Sequence, residues 1–284
     1  MKVETKRLAA GLYLVATPIG SARDITLRAL DVLASADLIA CEDTRVTRRL
    51  LDIHGIDVAG KPMWSYHDHN GPAVRPAIME EIAKGKSVAY VSDAGMPLIA
   101  DPGYGLVTSA RELGHEVTAV PGASSVTTAL ALGGLPTDRF LFAGFVPSAG
   151  GARRSFYAEH VDIPATLVFF ETGARLAKSL ADMARVFGPN RQARICRELT
   201  KKFEEVLSGT IQELIEALAE RTVKGEIVLL VDRSHATASA GDMNEALREA
   251  LQTMRTKDAA DAVATELGLP RRQVYQAALA MARK

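Results

Sequence analysis

The feature that most constrains the fold is a regular alternation, over the first 122 residues, between short apolar runs and amphipathic segments. The apolar runs are rich in branched side chains, as buried parallel strands are. They cover residues 12–16, 38–40, 88–91 and 117–120. Between them, apolar residues recur three and four positions apart, which is typical of amphipathic helices. The helical segments cover residues 25–33, 46–53, 73–83 and 106–113. This alternation predicts right-handed crossovers and a parallel sheet with helices on both faces.

A second set of apolar runs follows Pro121-Gly122, after a predicted helix at residues 124–132. The runs cover residues 140–146, 166–170, 193–196, 206–207 and 227–231. Helical patterns separate several of them, and loops rich in glycine and proline lie between others. This second set predicts another α/β layer, and the chain of 284 residues is long enough for two domains of ~100–200 residues each.

The composition changes at Ser234 to alanine, threonine, serine and glycine, as in a linker. Two helical patterns follow and are broken at Gly268-Leu269-Pro270, where glycine ends one helix and proline begins the next. We therefore predict α/β domains at residues 1–122 and 123–233, followed by a linker and a helix-turn-helix-like segment at residues 234–284. A helical hairpin that packs on the main body remains an alternative for this last segment.

Several classes of protein are disfavoured by the composition. The apolar runs are far shorter than the ~20 residues that a membrane-spanning helix needs. Residues 1–7 are charged and are followed by no signal-peptide cleavage pattern, so we expect a cytoplasmic protein. The two cysteines, Cys41 and Cys196, are too few for a disulfide framework, and no Cys-x-x-Cys pair is present to bind zinc.

The overall charge balance argues against a nucleic-acid substrate, although a local basic segment weakens this objection. Lysine plus arginine equal aspartate plus glutamate at 34 each, whereas phosphate binding usually requires positive charge. The segment from residue 271 to residue 284 nevertheless contains four basic residues and no acidic residue. A local basic patch of this kind can bind nucleic acid on a neutral protein.

Loops of small residues follow three of the predicted strands. They are Thr17-Pro18-Ile19-Gly20, Ser92-Asp93-Ala94-Gly95-Met96-Pro97 and Pro121-Gly122-Ala123-Ser124-Ser125. Ligands of open parallel sheets bind at the carboxyl ends of the strands, and small residues let the backbone approach a ligand closely. Because the chain has neither a Gly-x-Gly-x-x-Gly turn nor a Walker lysine motif, a dinucleotide or ATP site is disfavoured. Ordinary βα turns remain the alternative for any one of these loops.

The combination and order of these segments resemble the tetrapyrrole-methylase family. The matching segments are residues 11–20, 91–97, 120–125, 167–172, 197–200 and 208–210. The resemblance covers residue 11 to about residue 232. It implies an α/β fold in which two domains enclose an S-adenosylmethionine cleft, with a small C-terminal helical appendage, and it implies a homodimer.

Further segments narrow the resemblance within that family. Residues 41–45, 92–103 and 142–147 are similar to those of members that 2'-O-methylate a cytidine of small-subunit (16S) ribosomal RNA. Corrinoid and sirohaem methyltransferases carry Gly-Asp-Pro in the second loop, where this chain has Ser92-Asp93-Ala94. The resemblance therefore implies ribosomal RNA, in the assembled small subunit, as the substrate. A tetrapyrrole or protein methyltransferase of the same fold, and a nucleic-acid-binding regulator with a vestigial cleft, remain alternatives.

The resemblance also implies which residues form the site. The expected cofactor-binding residues are Pro18, Ser92, Asp93, Ala94, Ile99, Ser124, Ser125, Phe170, Glu171, Leu199 and Thr200. A ribose hydroxyl is a poor nucleophile, so a general base is plausible, and Asp93 and Glu171 are the candidates. Either carboxylate can instead serve only to bind the cofactor or to support the structure.

Arginine and lysine pairs near the predicted cleft and in the C-terminal segment are candidates for contacts with RNA phosphates. They include Arg45, Arg49, Arg153, Arg154, Lys201, Arg271 and Arg272. Simple solvation at the surface explains any one of them equally well. For the adjacent acids Glu42-Asp43, ion pairs with nearby arginines are favoured over acid and base catalysis.

The sequence His67-Asp68-His69 raises the possibility of a metal site, because alternate residues of a strand share a face. No third ligand follows at a recognisable spacing, and methyl transfer needs no metal. We therefore expect no metal at this position.

Overall fold

The structure is a computed structural model. It describes residues 3–57, 60–234, 240–267, 269 and 271–282. Both β-sheets of the chain fall in one compact unit, residues 1–157 and 166–232, and a second unit comprises residues 158–165 and 233–284. The domain boundaries at residues 122 and 233 stay predictions.

The first sheet has five strands, all parallel, in the order β3-β2-β4-β1-β5. Strands β1 to β5 are Gly11–Val15, Leu38–Cys41, Met63–Ser65, Ser87–Val91 and Val117–Val120. Helices α1 to α4 are Leu27–Ser35, Thr44–Ile53, Gly71–Ala83 and Tyr104–Glu112, and a short 3-10 helix lies at Ala22–Asp24. The predicted parallel sheet is confirmed, and four of its strands lie within a residue of their predicted bounds.

Alternate side chains of this sheet enter two different cores. Ala89 and Val91 of β4 pack in one core with the apolar residues of α1 and α2. Val88 and Tyr90 pack in the other core with those of α3 and α4. Because helices cover both faces, every residue of β4 is buried, and its sequence is apolar without alternation.

The second sheet has the order β6-β7-β10-β8-β9 and is mixed. Strands β6 to β10 are Phe140–Phe145, Thr166–Thr172, Gln192–Arg197, Glu205–Thr210 and Glu226–Val231. Only β6 and β7 pair in parallel, and the other neighbours are antiparallel. Helices α5 to α8 are Ser125–Gly133, Gly150–Ala158, Gly173–Phe187 and Ile211–Ala217. Helix α5 packs against the sheet through a core that includes Val126, Leu130 and Leu230.

Three helices form most of the second compact unit. They are α9 at Ala240–Thr253, α10 at Thr256–Leu267 and α11 at Arg271–Ala282. Leu247, Val263 and Val274 are almost completely buried at their centre. Gly268 and Pro270 of the predicted helix break, residues 235–239 of the predicted linker, and the basic residues Arg283 and Lys284 lie outside the described residues. Across the described part of the chain, no helix is both long and apolar enough to span a bilayer.

Candidate functional site

The loops after β1 and β4 are tied to each other at the carboxyl edge of the first sheet. The backbone N–H of Thr17 donates to the carbonyl oxygen of Gly95 at 2.9 Å, and Gly95 N–H donates to the Thr17 carbonyl at 3.1 Å. The Thr17 hydroxyl also donates to the Ser92 carbonyl at 3.2 Å. These three hydrogen bonds join the two loops into one wall at this edge of the sheet.

The rest of the loop after β4 has an unusual backbone. Leu98 and Ala100 have φ angles of 73° and 60°, in the left-handed region that side chains with a Cβ seldom adopt. Gly103 has a φ of 129°, and a Cβ at this position would lie 2.7 Å from Cε1 of the buried Tyr90 ring. The Tyr90 hydroxyl donates to the Pro102 carbonyl at 2.7 Å. Backbone conformations of this kind persist where surrounding packing enforces them, and they cluster at functional sites.

These loops and the second sheet together line a cavity of about 340 Å³, which we call the cleft. Its volume lies within the ~300–1,000 Å³ range that is usual for small-molecule sites. The lining residues are Ile19, Glu42, Asp93, Ala94, Gly95, Met96, Ile99, Ala100, Asp101, Ser124, Ser125, Phe145, Phe170, Glu171, Thr172, Cys196, Leu199, Glu226, Ile227 and Val228. Five of them are acidic and none is basic, so the cleft suits a ligand that is cationic or rich in hydrogen-bond donors.

Most of the cofactor-binding residues predicted from the sequence line the cleft. These are Asp93, Ala94, Ile99, Ser124, Ser125, Phe170, Glu171 and Leu199. Three others are not in its lining. Ser92 is buried behind it, with its hydroxyl 3.4 Å from the carbonyl oxygens of Ala94 and Gly95. Pro18 belongs to the loop tied by Thr17, and the Thr200 hydroxyl accepts a hydrogen bond from Ser21 N–H at 3.1 Å.

Three acidic side chains of the first sheet face the cleft without an ion-pair partner among the described residues. Burial raises the pKa of Glu42, which follows β2, and of Asp93, which follows β4. Burial, together with the nearby charge of Glu42, raises the pKa of Asp101 to about 6. The three carboxyl groups are therefore held in a setting that disfavours negative charge, which is common at functional sites.

Glu171 comes from the second sheet and is 2% exposed. Its Oε1 accepts hydrogen bonds from Thr172 N–H at 2.8 Å and from Arg175 Nε at 2.7 Å. Its Oε2 is buried and has no hydrogen-bond partner among the described residues. Because an unpaired buried acceptor is unfavourable, this atom points to a ligand that donates a hydrogen bond to it.

Glu42 and Asp101 are functional candidates that the sequence prediction missed. The ion pair expected at Glu42-Asp43 exists only for Asp43, whose carboxylate caps α2 and lies 2.6 Å from Arg45. Glu42 instead lines the cleft. The position of Glu42 directly after a strand could have indicated a place in the cleft. Nothing in the local sequence indicates the turn that brings Asp101 there.

The predicted contact of Arg153 with RNA phosphates conflicts with its placement. Its side chain is 4% exposed, and its guanidinium lies 2.7 Å from the buried carboxylate of Asp182. Its Nη1 donates to the Ser148 carbonyl at 3.1 Å. Arg154 shares the same carboxylate at 3.3 Å but is itself exposed. Arg153 is a structural residue here, because packing of α6 against α7 encloses it.

The other predicted RNA-binding residues differ in how free they are. Arg45 pairs with Asp43, and Arg271 pairs with Asp261. Lys201 pairs with Glu198 at 3.1 Å and also with Glu226. Arg49 of α2 and Arg272 of α11 are exposed, as is Arg48 next to Arg49, and no ion pair is found for these three within the described ranges.

The histidines at 67 and 69 do not form a metal site with other residues that the structure describes. They lie in the turn after β3, with ring centroids 5.9 Å apart. No group of three or more potential ligands is assembled anywhere among the described residues. Cys41 and Cys196 are buried free thiols, and burial raises the pKa of each to about 11, so both are neutral at ordinary pH.

Comparison with known sequences gives two family matches and many relatives. Residues 11–215 match the profile of Tetrapyrrole (Corrin/Porphyrin) Methylases, and residues 237–282 match the RsmI C-terminal HTH domain. The chain is 44% identical to Ribosomal RNA small subunit methyltransferase I of Mesorhizobium japonicum, over 97% of this chain and 93% of that protein. It is 42% identical to the protein of the same name from Halalkalibacterium halodurans, over 93% of each.

Comparison with solved structures agrees on the fold. The methyltransferase CobJ superposes with a TM-score of 0.60 at 15% identity, over 80% of this chain and 95% of that one. A uroporphyrin-III C-methyltransferase from Thermus thermophilus, solved with S-adenosyl homocysteine, superposes with a TM-score of 0.52 at 19% identity, over 78% of this chain and 97% of that one. At these identities the likeness concerns the fold alone.

Proposed function

The chain belongs to the tetrapyrrole methylase family and, within it, to the ribosomal RNA small subunit methyltransferases I, and we propose that it 2'-O-methylates a cytidine of 16S ribosomal RNA with S-adenosylmethionine as methyl donor. Membership confirms the resemblance and the α/β fold predicted from the sequence. The names of the relatives support the RNA substrate. The observation that carries the methyl donor is the cleft, which is acidic and lacks any basic lining residue.

The residues of the cleft fit this donor. S-adenosylmethionine carries positive charge on its sulfonium and amino groups, and it supplies an electrophilic methyl group. Carboxylates stabilise such cations, whereas a phosphate-bearing cofactor would meet like charge from Glu42, Asp93 and Asp101. The unpaired Oε2 of Glu171 provides an acceptor for an N–H or O–H of the donor. Phe145 and Phe170, with ring centroids 5.2 Å apart, provide an apolar wall.

The residues of the cleft contribute mainly by holding the reactants in position. Asp93 and Ala94 hold the cofactor from the first sheet, while Phe170, Glu171 and Leu199 hold it from the second. Ser92, Pro18 and Thr200 support this wall from behind, since the structure uses the Ser92 and Thr200 hydroxyls in loop contacts. Aligning two reactants and excluding water supplies most of the rate acceleration in such a transfer. Because Glu171 already accepts two hydrogen bonds on Oε1, we assign it to cofactor binding and not to proton transfer.

The exposed arginines Arg48 and Arg49 of α2 are best placed to meet RNA phosphates, because no ion pair within the described residues occupies them. Helix α2 begins directly after the Glu42 end of β2 and therefore lies beside the cleft. Arg45, Arg154, Lys201, Arg271 and Arg272 remain secondary candidates, and the first four must exchange an intramolecular partner for a phosphate. We further propose that the substrate is the assembled small subunit, and that the protein acts in the cytoplasm as a homodimer.

The deciding experiment uses purified protein, methyl-labelled S-adenosylmethionine, and small subunits from a strain that lacks this gene. After digestion of the RNA to nucleosides, mass spectrometry is expected to find one 2'-O-methylcytidine per subunit. Absence of that product, or methylation of a base or a protein instead, contradicts the proposal. Sedimentation of the purified protein tests the homodimer, and a parallel reaction with naked 16S RNA tests the need for an assembled subunit.

A further inference from the structure

A second cavity of about 310 Å³ shares a wall with the cleft. It lies beside β3 and the start of α4, and its lining includes Tyr66, His67, Asp68, Arg75 and Tyr104. Asp101 is the one residue that lines both cavities. The two cavities therefore adjoin at Asp101, and ligands held in them would both lie next to this residue.

We propose that this second cavity receives the target ribonucleotide, and that Asp101 takes the proton from its 2'-hydroxyl as the methyl group is transferred. The assignment rests on the proposed function for the reaction itself. It assigns the general base to Asp101 in place of the sequence-based candidates Asp93 and Glu171, and it adds a nucleotide site.

The lining of the second cavity has the chemistry that a flipped-out nucleotide requires. Tyr104, at the start of α4, is 78% exposed and offers a ring on which a base can stack. Arg75 supplies positive charge for the adjoining phosphate, and its Nε donates to the Tyr66 hydroxyl at 3.3 Å. The guanidinium lies so close to Gly105 that a Cβ there would collide with it.

One polar atom of this cavity lacks a partner. Nδ1 of His67 is buried and makes no hydrogen bond among the described residues. The backbone N–H of His67 donates a hydrogen bond to Asn70 Oδ1 at 2.8 Å. The residue is therefore held in place while its ring atom Nδ1 stays unpaired among the described residues. A base or ribose edge would satisfy it. This use of residue 67 also accounts for the His67-Asp68-His69 sequence without a metal.

Asp101 is positioned by rigid surroundings. It follows the left-handed residues Leu98 and Ala100, and it precedes Pro102, whose carbonyl is anchored by the hydroxyl of the buried Tyr90. A strained, anchored loop holds a side chain in one place at the moment of reaction, which is the requirement for a general base.

The charges around Asp101 suit proton uptake near neutral pH. The titratable groups that face it are Glu42 after β2, Asp68 after β3 and Asp93 after β4. Burial and these carboxylates together raise its pKa, while His67 and Arg75 line the far side of the cavity. A base with a pKa near the working pH is the most effective.

The 2'-oxygen forms a bond to the methyl carbon while the carbon–sulfur bond breaks, and the electron pair of that bond stays on sulfur. The hydroxyl proton passes to the Asp101 carboxylate and then to water, so no further reactant is needed.

The test combines pH-dependent kinetics with binding. Single-turnover methylation of unmethylated small subunits by the wild-type protein should rise between pH 5 and pH 7, with a half-maximum at about 6. Asp101→Asn should slow the step by about 100-fold or more and remove this inflection. It should still bind S-adenosylmethionine by calorimetry, within about tenfold of wild type because one of the carboxylates near the cation is lost, and this binding also shows that the variant folds. Asp162→Asn, at an exposed turn, should behave as wild type.

A separate binding experiment tests the nucleotide site. Tyr104→Ala should weaken binding of small subunits by about tenfold, the loss expected for one stacked base, while Tyr104→Phe should bind as wild type. Equal subunit binding by Tyr104→Ala overturns the cavity assignment. An unchanged rate and inflection in Asp101→Asn overturn the base, as does a wild-type profile with no inflection between pH 5 and pH 7. If the wild-type protein methylates no ribose of the subunit at all, the proposed function itself fails.

Discussion

The carboxylates of the two sheets differ in how they are paired. On the first sheet, Glu42, Asp93 and Asp101 face the cleft without ion-pair partners among the described residues, and burial raises the pKa of each. In the part of the protein built on the second sheet, Asp182 of α7 lies 2.7 Å from Arg153, and Glu198, which follows β8, lies 3.1 Å from Lys201. Burial acts to raise the pKa of both groups, but the hydrogen bonds that they accept outweigh it and lower the pKa.

This difference indicates which half of the protein holds the groups that react. Paired carboxylates stabilise the fold, and their cationic partners keep them ionised. Unpaired carboxylates at the edge of a parallel sheet are unfavourable for the free protein, but they are available to a cation or a proton. Such a trade of stability for activity is common at functional sites. The central claim is therefore that the second sheet supports the cleft and the first sheet performs the reaction.

The largest effect on stability is expected from removing one of the paired carboxylates. Asp182→Asn leaves the buried guanidinium of Arg153 without its partner, and loss of one member of a buried pair lowers the free energy of unfolding by ~3–5 kcal/mol. The same change at Asp101 removes a carboxyl group that has no ion-pair partner and whose charged form burial disfavours, so it should not lower that free energy. Denaturant unfolding of both variants gives the comparison. Equal destabilisation would show that the two carboxylates do not differ in role.

A slightly smaller effect is expected from filling the cleft on its first-sheet side. Ala94→Phe places a ring where the cofactor should lie and should lower affinity for S-adenosylmethionine by at least ~100-fold, which is about 2.7 kcal/mol. Ala177→Phe, on the exposed face of α7, is the matched control and should bind normally. Calorimetry measures both. Retained affinity in a folded Ala94→Phe protein would rule out this loop as the cofactor wall.

The exposed basic residues allow a similar comparison for RNA binding, between α2 and other parts of the surface. Reversing the charge of Arg48 and Arg49 should weaken subunit binding by roughly tenfold near 0.1 M salt and reduce the slope of log affinity against log salt by about 2. The matched reversal at Arg111 and Lys178, both exposed, should leave the slope unchanged. If both double variants lose the same affinity, general charge and not a local surface attracts the RNA.

The last expected effect is spread over about two pH units and concerns the dependence of stability on pH. Because folding raises the pKa of Asp101 to about 6, the folded state holds its proton more tightly than the unfolded state, and stability falls as pH rises from about 4 to about 6. The Asp101→Asn variant does not lose stability in this way. The difference in stability between the variant and the wild type should therefore increase in favour of the variant as pH rises from about 4 to about 6. Thermal unfolding at several pH values measures the difference. A constant difference would place the Asp101 pKa at its ordinary value.

The sequence predicted the fold well because branched apolar runs and amphipathic periods mark buried strands and their helices directly. Strand β3, Met63–Ser65, was not predicted, since it has three half-buried residues and no measurable period. Gly268 and Pro270, on which the predicted helix break depends, fall outside the described residues.

The site was predicted less completely, for two physical reasons. Arg153 was expected at the surface because a glycine-flanked arginine pair is usually solvated, whereas tertiary packing buries it against a residue 29 positions away. Asp101 was missed because left-handed backbone at Leu98 and Ala100, which no local propensity favours, turns it toward the cleft. The residues that line the cleft directly after strands were the ones that the sequence could identify.

The most direct test of the central claim is a carboxyl titration by carbon-13 NMR of protein labelled at aspartate. Asp101→Asn and Asp182→Asn assign the two signals. The account predicts that Asp101 titrates at about 6 and Asp182 below its ordinary value, with Asp93 raised and without a cationic partner. An Asp101 carboxyl that titrates at its ordinary value, alongside an Asp182 that does the same, would contradict the division between a supporting sheet and a reactive one.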